Sequence, residues 1–296
     1  MLQIKNIKKY FNSKLVVDNL SFTVKEGSIY GLLGPNGAGK TTTLRIILGI
    51  LPPSAGEVYF NNKQINSNFF NITGYLPEER GLYPKSNVKN ILHYLGKLKG
   101  LSKTQVEKNT DYWLERLELS HYKKHKLEEL SKGNQQKIQF ISAIVHQPKI
   151  LILDEPFSGF DPLNQNIFRD IIIELSKDRF VILSTHQMDL AESLCNEILL
   201  INEGKEITSG KLEDILDTKA NVYSLTFAET IPKDALLKFN EINIISSEGN
   251  SLILDLNNIT PPNFIKEVTA LYNVSEFKKI TPSLHQTFLS LMETTS

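Results

Sequence analysis

Short apolar runs and amphipathic stretches take turns along the first ~215 residues. Ser28–Leu33 reads as a strand and is followed by a Gly-rich turn. The next segment puts Leu44, Ile47, Leu48 and Leu51 at i, i+3, i+4 and i+7, which predicts a helix with one buried face. Gly49 and the pair Pro52-Pro53 end it. Ile150–Leu153, Phe180–Leu183 and Ile198–Ile201 are unbroken apolar runs, as expected of strands covered on both faces. Between the first two, Ile167, Phe168, Ile171, Ile172 and Leu175 mark the buried side of a helix. This alternation predicts an α/β fold around a mostly parallel sheet.

Two stretches break the pattern. Residues 85–146 are rich in Lys, Leu, Glu and Gln and read as helices, a helical subdomain inserted into the sheet domain. After about residue 215 strands dominate again. Val222–Phe227 alternates like a strand, and Ile242–Ser246 and Leu252–Leu256 form a hairpin through Ser247-Glu248-Gly249-Asn250. Pro261–Leu271 reads as a helix and Val274–Ile280 as a last strand. The expected organisation is a domain over 1–215 and a small α+β domain over 216–296.

Composition narrows the function classes. Apolar residues make up 41% and charged residues 22% of 296, enough for two buried cores. The 33 basic and 33 acidic residues cancel, so nothing points to a general affinity for nucleic acid or acidic lipid. Cys195, the sole cysteine, permits no internal disulfide and fits a reducing compartment. It follows Leu194 on an apolar helical face and reads as a buried thiol. No apolar stretch reaches the roughly 18 residues a membrane span needs, and the lysine-bearing Met1–Phe11 segment has no apolar block like a signal peptide's.

The chemistry begins at Gly34-Pro35-Asn36-Gly37-Ala38-Gly39-Lys40-Thr41, which matches G-x-x-x-x-G-K-[ST] between a strand and an amphipathic helix. Glycines let the backbone curl so that successive N–H groups point at phosphate oxygens. The helix N-terminus adds unpaired amides. Lys40 is suited to reach the β- and γ-phosphates and the Thr41 hydroxyl to ligate Mg²⁺. Alone, this motif says P-loop NTPase or nucleotide kinase.

Asp154 and Glu155 follow an apolar run and therefore stand at the carboxyl end of a parallel strand, where α/β sheets bind ligands. Asp154 suits Mg²⁺ and Glu155 suits polarising an attacking water; in isolation the pair reads equally well as a strand ending. His186 follows a second such strand, Phe180–Thr185, and is open to a structural role or to contact with the γ-phosphate. Leu130-Ser131-Lys132-Gly133-Asn134-Gln135-Gln136-Lys137 precedes a helix carrying Ile138, Ile141 and Ile144. Ser131 reads as its N-cap and Gly133 permits close backbone approach, so this turn is an ordinary cap or a second anion site.

Taken in order, these segments resemble the ATP-binding cassette (ABC) ATPases over roughly residues 1–215. Gly34–Thr42 resembles their phosphate loop, Leu130–Lys137 their signature, Asp154-Glu155 their Mg²⁺ strand and base, Ser158-Gly159-Phe160-Asp161 their D-loop, and His186 their switch histidine. The resemblance implies ATP and Mg²⁺ as cofactors, with Glu155, His186 and Lys40 catalytic. It implies nucleotide contacts from Gly34, Pro35, Asn36, Gly37, Ala38, Gly39, Lys40, Thr41, Thr42, Ser131, Gly133 and Asp161. An adenine-stacking aromatic would be Phe11, with neighbouring Tyr10 able to substitute. Three departures stand out. Lys132 and Asn134 occupy signature positions that usually hold Gly and Gln. Phe160 replaces a common Leu. Glu78, after Gly74-Tyr75-Leu76-Pro77, stands in the loop that usually carries a metal-contacting Gln; it can bind Mg²⁺ but, ionised, donates no hydrogen bond.

Resemblance further implies a head-to-tail dimer, a homodimer or a pair with a second ABC ATPase, sharing ATP across a two-fold axis. A transmembrane permease subunit would receive the motion through a groove near residues 74–95, at the cytoplasmic, inner face of the membrane. The segment from about 215, together with Glu78–Tyr83 and Leu-Ser-Lys-Gly, is similar to the sodium-extrusion (Nat) type, an exporter. The alternative is a non-transport ABC ATPase acting on DNA or ribosomes. The chain lacks the long coiled-coil insertion, zinc cysteines and second cassette typical of such members, so no nucleic acid partner is expected.

Overall fold

The structure, a computed structural model, describes residues 1–79, 81–216, 221–229, 242–257, 259–280 and 283–295. Arg80 of the Glu78-Glu79-Arg80 stretch lies outside them. The chain divides into two compact units, Met1–Leu212 and Glu213–Ser296.

The first unit contains the expected α/β core. Its main sheet is six-stranded, in the order β10-β9-β3-β8-β7-β6. The strands are β3 (Ser28–Leu33), β6 (Thr73–Leu76), β7 (Ile150–Asp154), β8 (Phe180–Thr185), β9 (Glu197–Asn202) and β10 (Lys205–Lys211). All neighbours pair in parallel except β10, which folds back antiparallel on β9. Every residue of β7 and β8 is buried, which accounts for their unbroken apolar sequences. The polar ends of these strands, Asp154, Ser184 and Thr185, are buried too.

The mostly parallel sheet expected from the sequence is present, and the unit also holds a second sheet that the sequence reading did not anticipate. β1 (Leu2–Phe11), β2 (Lys14–Val24), β4 (Ala55–Phe60) and β5 (Lys63–Gln64) form a four-stranded antiparallel sheet in the order β2-β1-β4-β5. Its apolar residues Leu2, Ile4, Ile7, Leu20 and Val24 join those of helix α1 (Lys40–Ile47) in one core with Leu32, Ile152, Ile182 and Ile201 of the main sheet. Helix α1 stops at Ile47, with Leu48 as its cap and Gly49 at a positive φ of 70°, so Leu51 of the expected stripe lies beyond it.

The residues between β6 and β7 form helices α2 (Val88–Leu98), α3 (Lys103–Arg116) and α4 (Lys132–Ile144). β6 and β7 pair directly, Thr73 with Ile150 through Leu76 with Leu153, so the helical segment is an excursion from one sheet edge. Helix α5 (Pro162–Ser176) begins at Asp161 with Pro162 in its first turn. It buries Phe168, Ile171, Ile172 and Leu175 but leaves Ile167 exposed, so the buried stripe is narrower than the sequence pattern predicts. The Phe168 ring packs, tilted, with its centre 4.7 Å from that of Phe140 of α4 and 4.4 Å from that of Phe160, joining helical segment, loop and α5. Helix α6 (Met188–Leu194) stops one residue before Cys195. The thiol is buried rather than on the helix, and burial pushes it up to about 12.

Helix α7 (Leu212–Leu216) runs from the first unit into the second. In the second unit β11 (Val222–Phe227), β12 (Asn243–Glu248), β13 (Ser251–Asp255) and β14 (Val274–Lys279) make an antiparallel sheet ordered β12-β13-β11-β14. Leu225, Phe227, Leu252 and Leu254 form its core with Phe264 and Val268 of α8 (Pro261–Thr269). The hairpin is tighter than its sequence implies: Glu248 pairs with Ser251, leaving only Gly249-Asn250 as the loop. Helix α9 (Leu284–Thr295) closes the chain. Among the described residues no helix is long and apolar enough to cross a membrane.

Phe168 is fully buried between two other rings. Phe168→Ala is expected to cost about 3–5 kcal/mol, read by equilibrium chemical denaturation, because the two facing rings cannot collapse into the space it leaves.

Candidate functional site

The turn between β3 and α1 is a cradle made possible by glycine. Gly34 has φ 150° and lies so near Ile201 that a Cβ there would sit 2.1 Å from its carbonyl oxygen. Gly39, at φ 102°, caps α1 with a Cβ position 2.7 Å from the Val16 carbonyl. The β9–β10 turn braces the cradle, since the Gly204 N–H donates to Ala38 O at 3.0 Å. Above it is a cleft of about 430 Å³. Asn36, Gly37, Gly39, Lys40, Thr41, Thr42, Glu78 and Glu155 line it, together with Val16, which the sequence reading missed.

Charge gathers at the floor of this cleft. The Lys40 ammonium donates to Gly34 O at 2.8 Å and Pro35 O at 3.2 Å. It also lies 3.4 Å from Glu155 Oε1. The same oxygen is 2.9 Å from His186 Nδ1. Lys40 and Glu155 are 6% and 4% exposed, so their charges are balanced by each other rather than by water. His186 is about half exposed on its outer side.

Asp154, at the end of β7, is fully buried beneath this pair. Burial pushes its carboxyl above the usual range, while the Ser184 and Thr41 hydroxyls pull the other way. Ser184 Oγ donates to Asp154 Oδ1 at 2.5 Å, whereas Asp154 Oδ2 has no hydrogen-bond partner. Ser184 also holds the next residue. The Glu155 N–H donates to Ser184 O at 3.1 Å and lies 3.2 Å from Ser184 Oγ, keeping Glu155 at φ 47°. Sequence reasoning passed over Ser184. Its signal was a hydroxyl at a strand end that pairs directly with Asp154.

Other expected residues stand outside the cleft lining. Phe11 and Tyr10 are exposed at the end of β1, with the Lys9 ammonium 5.4 Å from the Phe11 ring centre. Ser131 caps α4, accepting from the Asn134 N–H at 3.3 Å, and the Gly133 backbone borders open space. Asp161 caps α5 by accepting from the Asn164 backbone N–H at 3.0 Å and its side-chain amide at 2.7 Å. Those two amides hold its carboxyl below the usual range. Within one chain, then, Ser131 and Asp161 act as helix caps.

The family profile of ABC transporters matches residues 17–158, a span that holds the phosphate loop, Leu130–Lys137 and Asp154-Glu155. An uncharacterized ABC transporter ATP-binding protein of Methanocaldococcus jannaschii is 46% identical over 248 residues, 83% of this chain and 90% of that one. This chain belongs to the ABC transporter ATP-binding proteins. The Nod factor export ATP-binding protein I of Cupriavidus metallidurans is 34% identical over 223 residues, 74% of each chain. A solved structure described as the ATP-binding subunit of an ABC transporter superposes with a TM-score of 0.69 at 28% identity, covering 74% of this chain and 93% of that one. This chain is thus an ATP-hydrolysing ABC subunit with a P-loop NTPase fold.

Ser184→Ala removes the donor to Asp154 Oδ1 and leaves that carboxylate without a hydroxyl partner from β8. The expected loss is about 1–3 kcal/mol in equilibrium denaturation of metal-free protein, with Ser184→Thr retaining most of the stability. An unchanged Ser184→Ala midpoint would mean the short contact contributes nothing.

Proposed function

We propose that this ATPase drives a membrane exporter, working as a head-to-tail dimer with MgATP between the phosphate loop of one copy and the Leu130–Lys137 turn of the other. The observation that carries the reading is the meeting of Lys40 and His186 on one oxygen of Glu155. A base needs a neighbour that orients it and a cation near the charge that develops, and these two side chains supply both.

In this reading Lys40 leaves the Gly34 and Pro35 carbonyls for the β- and γ-phosphates, and the loop amides hold the remaining oxygens. Glu155 accepts a proton from the attacking water, and His186 orients that water or contacts the γ-phosphate. Phe11, or Tyr10 beside it, stacks on adenine from its exposed place at the strand end. The orphaned, buried Asp154 Oδ2 beside the Thr41 hydroxyl fits a small hard cation. Thr41, Asp154 and, from the cleft wall, Glu78 would hold Mg²⁺, which would supply neutralisation of the phosphate charge. Ser131, Gly133 and Asp161, exposed or open in one chain, are the groups offered to the second copy's nucleotide.

The permease partner is a multi-span membrane protein, and the complex sits on the inner, cytoplasmic face of the membrane. The export direction draws support from the name of the Nod factor relative. The Nat-type reading rests on the resemblance of the segment from about 215, Glu78–Tyr83 and Leu-Ser-Lys-Gly. Purification from native membranes is expected to bring down the permease; recovery of ribosomes or DNA in its place would overturn the transport reading.

Glu155→Gln keeps the size of the side chain and loses the base. Turnover is expected to fall about 10²- to 10⁴-fold while ATP still binds and a closed dimer accumulates in size-exclusion chromatography. Full turnover would reject Glu155 as the base. Lys40→Ala is expected to weaken ATP binding itself about 10- to 100-fold by titration, the worth of a charge-assisted contact.

A further inference from the structure

Gln139 lies in α4, the helix that starts at the Ser131 cap. It is buried, at 3% exposure. Its side-chain amide donates to Pro77 O at 3.1 Å and to Glu79 O at 2.9 Å. Those two carbonyls stand on either side of Glu78, which lines the nucleotide cleft. An amide NH₂ has two hydrogens, and both are spent on this one loop.

We propose that Gln139 is a positioning residue that holds Glu78 at the nucleotide cleft and makes its placement follow helix α4. The proposal rests on Glu78 acting at the nucleotide's metal as described above. The physical basis is rigidity. A helix moves as a body, whereas Pro77–Glu79 is irregular backbone just past the end of β6. Two hydrogen bonds from one buried side chain remove the freedom of that backbone to slide or twist independently. The N-terminal end of α4, about two turns from Gln139, carries Ser131 and Gly133. One helix thus joins the turn offered to a second copy with the carboxylate facing the chain's own nucleotide. Glu79, whose carbonyl is one of the two anchors, takes part through its backbone. The same geometry accounts for a glutamine at 139, a polar residue among the buried Ile138, Phe140 and Ile141.

The test uses the full-length chain with Gln139→Met, Glu78→Ala and the double variant. Methionine matches the length of glutamine and removes both donors. Four readings are taken: the Mg²⁺ concentration for half-maximal ATPase activity, kcat and KM for ATP, binding of a fluorescent ATP analogue without Mg²⁺, and the melting temperature. Gln139→Met is expected to raise the half-saturating Mg²⁺ about tenfold and to lower kcat, the usual size for losing an outer support of a metal ligand. Metal-free nucleotide binding stays within about twofold, since the phosphate loop is untouched. The double variant matches Glu78→Ala alone, because Gln139 acts through Glu78.

Additive losses in the double variant would overturn the proposal, as would a wild-type Mg²⁺ response in Gln139→Met beside an impaired Glu78→Ala. A wild-type response in Glu78→Ala itself would instead overturn the metal role of Glu78, and the proposal with it. Should Gln139→Met melt below the assay temperature, Gln139→Asn serves in its place. That side chain keeps the amide but is one methylene too short to span both carbonyls, and the same outcomes apply.

Discussion

A carboxylate that is 4% exposed has to have its charge cancelled, and the Lys40 ammonium lies 3.4 Å from the Glu155 oxygen that also contacts His186 Nδ1. Much of the first unit is arranged so that these three side chains meet. Lys40 is the first residue of α1, Glu155 follows β7 and His186 follows β8. Parallel pairing brings all three to one edge of the sheet, because β3, β7 and β8 end together there. An antiparallel arrangement of the same strands would send neighbouring ends to opposite edges. The meeting of these three groups thus depends on strand direction before it depends on any individual side chain.

The same constraint explains why local backbone departs from easy geometry at the site. Glu155 is left-handed at φ 47°, an uncommon state for a residue with a Cβ, and its N–H is held by β8 through Ser184. Gly34 and Gly39 admit contacts with Ile201 and Val16 that any side chain would block. The cradle is therefore squeezed from both sheets. Val16 comes from the antiparallel sheet, Ile201 and Gly204 from β9 and the turn after it.

How much of this was legible in the sequence depended on whether the signal was local. The buried strands β7, β8 and β9 showed as apolar runs, and the phosphate loop as a motif with its flanking strand and helix. Asp154, Glu155 and His186 stood out because each lies within three residues of the end of such a run. The antiparallel sheet was not. Its strands are interrupted by register shifts at Ile4/Ile7 and Lys5/Lys8, so the period-2 alternation that marks a half-buried strand is broken within β1. Ile167 was read as buried because apolarity alone carries no information on the edge of a helix face. Val16 and Ser184 were missed for a different reason. Val16 acts through its carbonyl, which leaves no mark in residue type, and the Ser184 hydroxyl, though visible at a strand end, takes its role from a neighbour on another strand.

Gln139 and Glu78 show the same limit from the other side. Each departs from its surroundings: a glutamine inside an apolar helical face and a glutamate in a loop. The sequence offers no means of pairing them, because they are more than fifty positions apart, and the contact runs through the backbone of Pro77 and Glu79. A change at 139 alters the loop without altering any loop residue. Where a departure from the family pattern occurs at 78, a physical account has to look for the group that carries its backbone, and here that group is in the helix that starts at Ser131. Through Gln139, the backbone around Glu78 is tied to the helical segment as much as to the sheet edge beside which it stands.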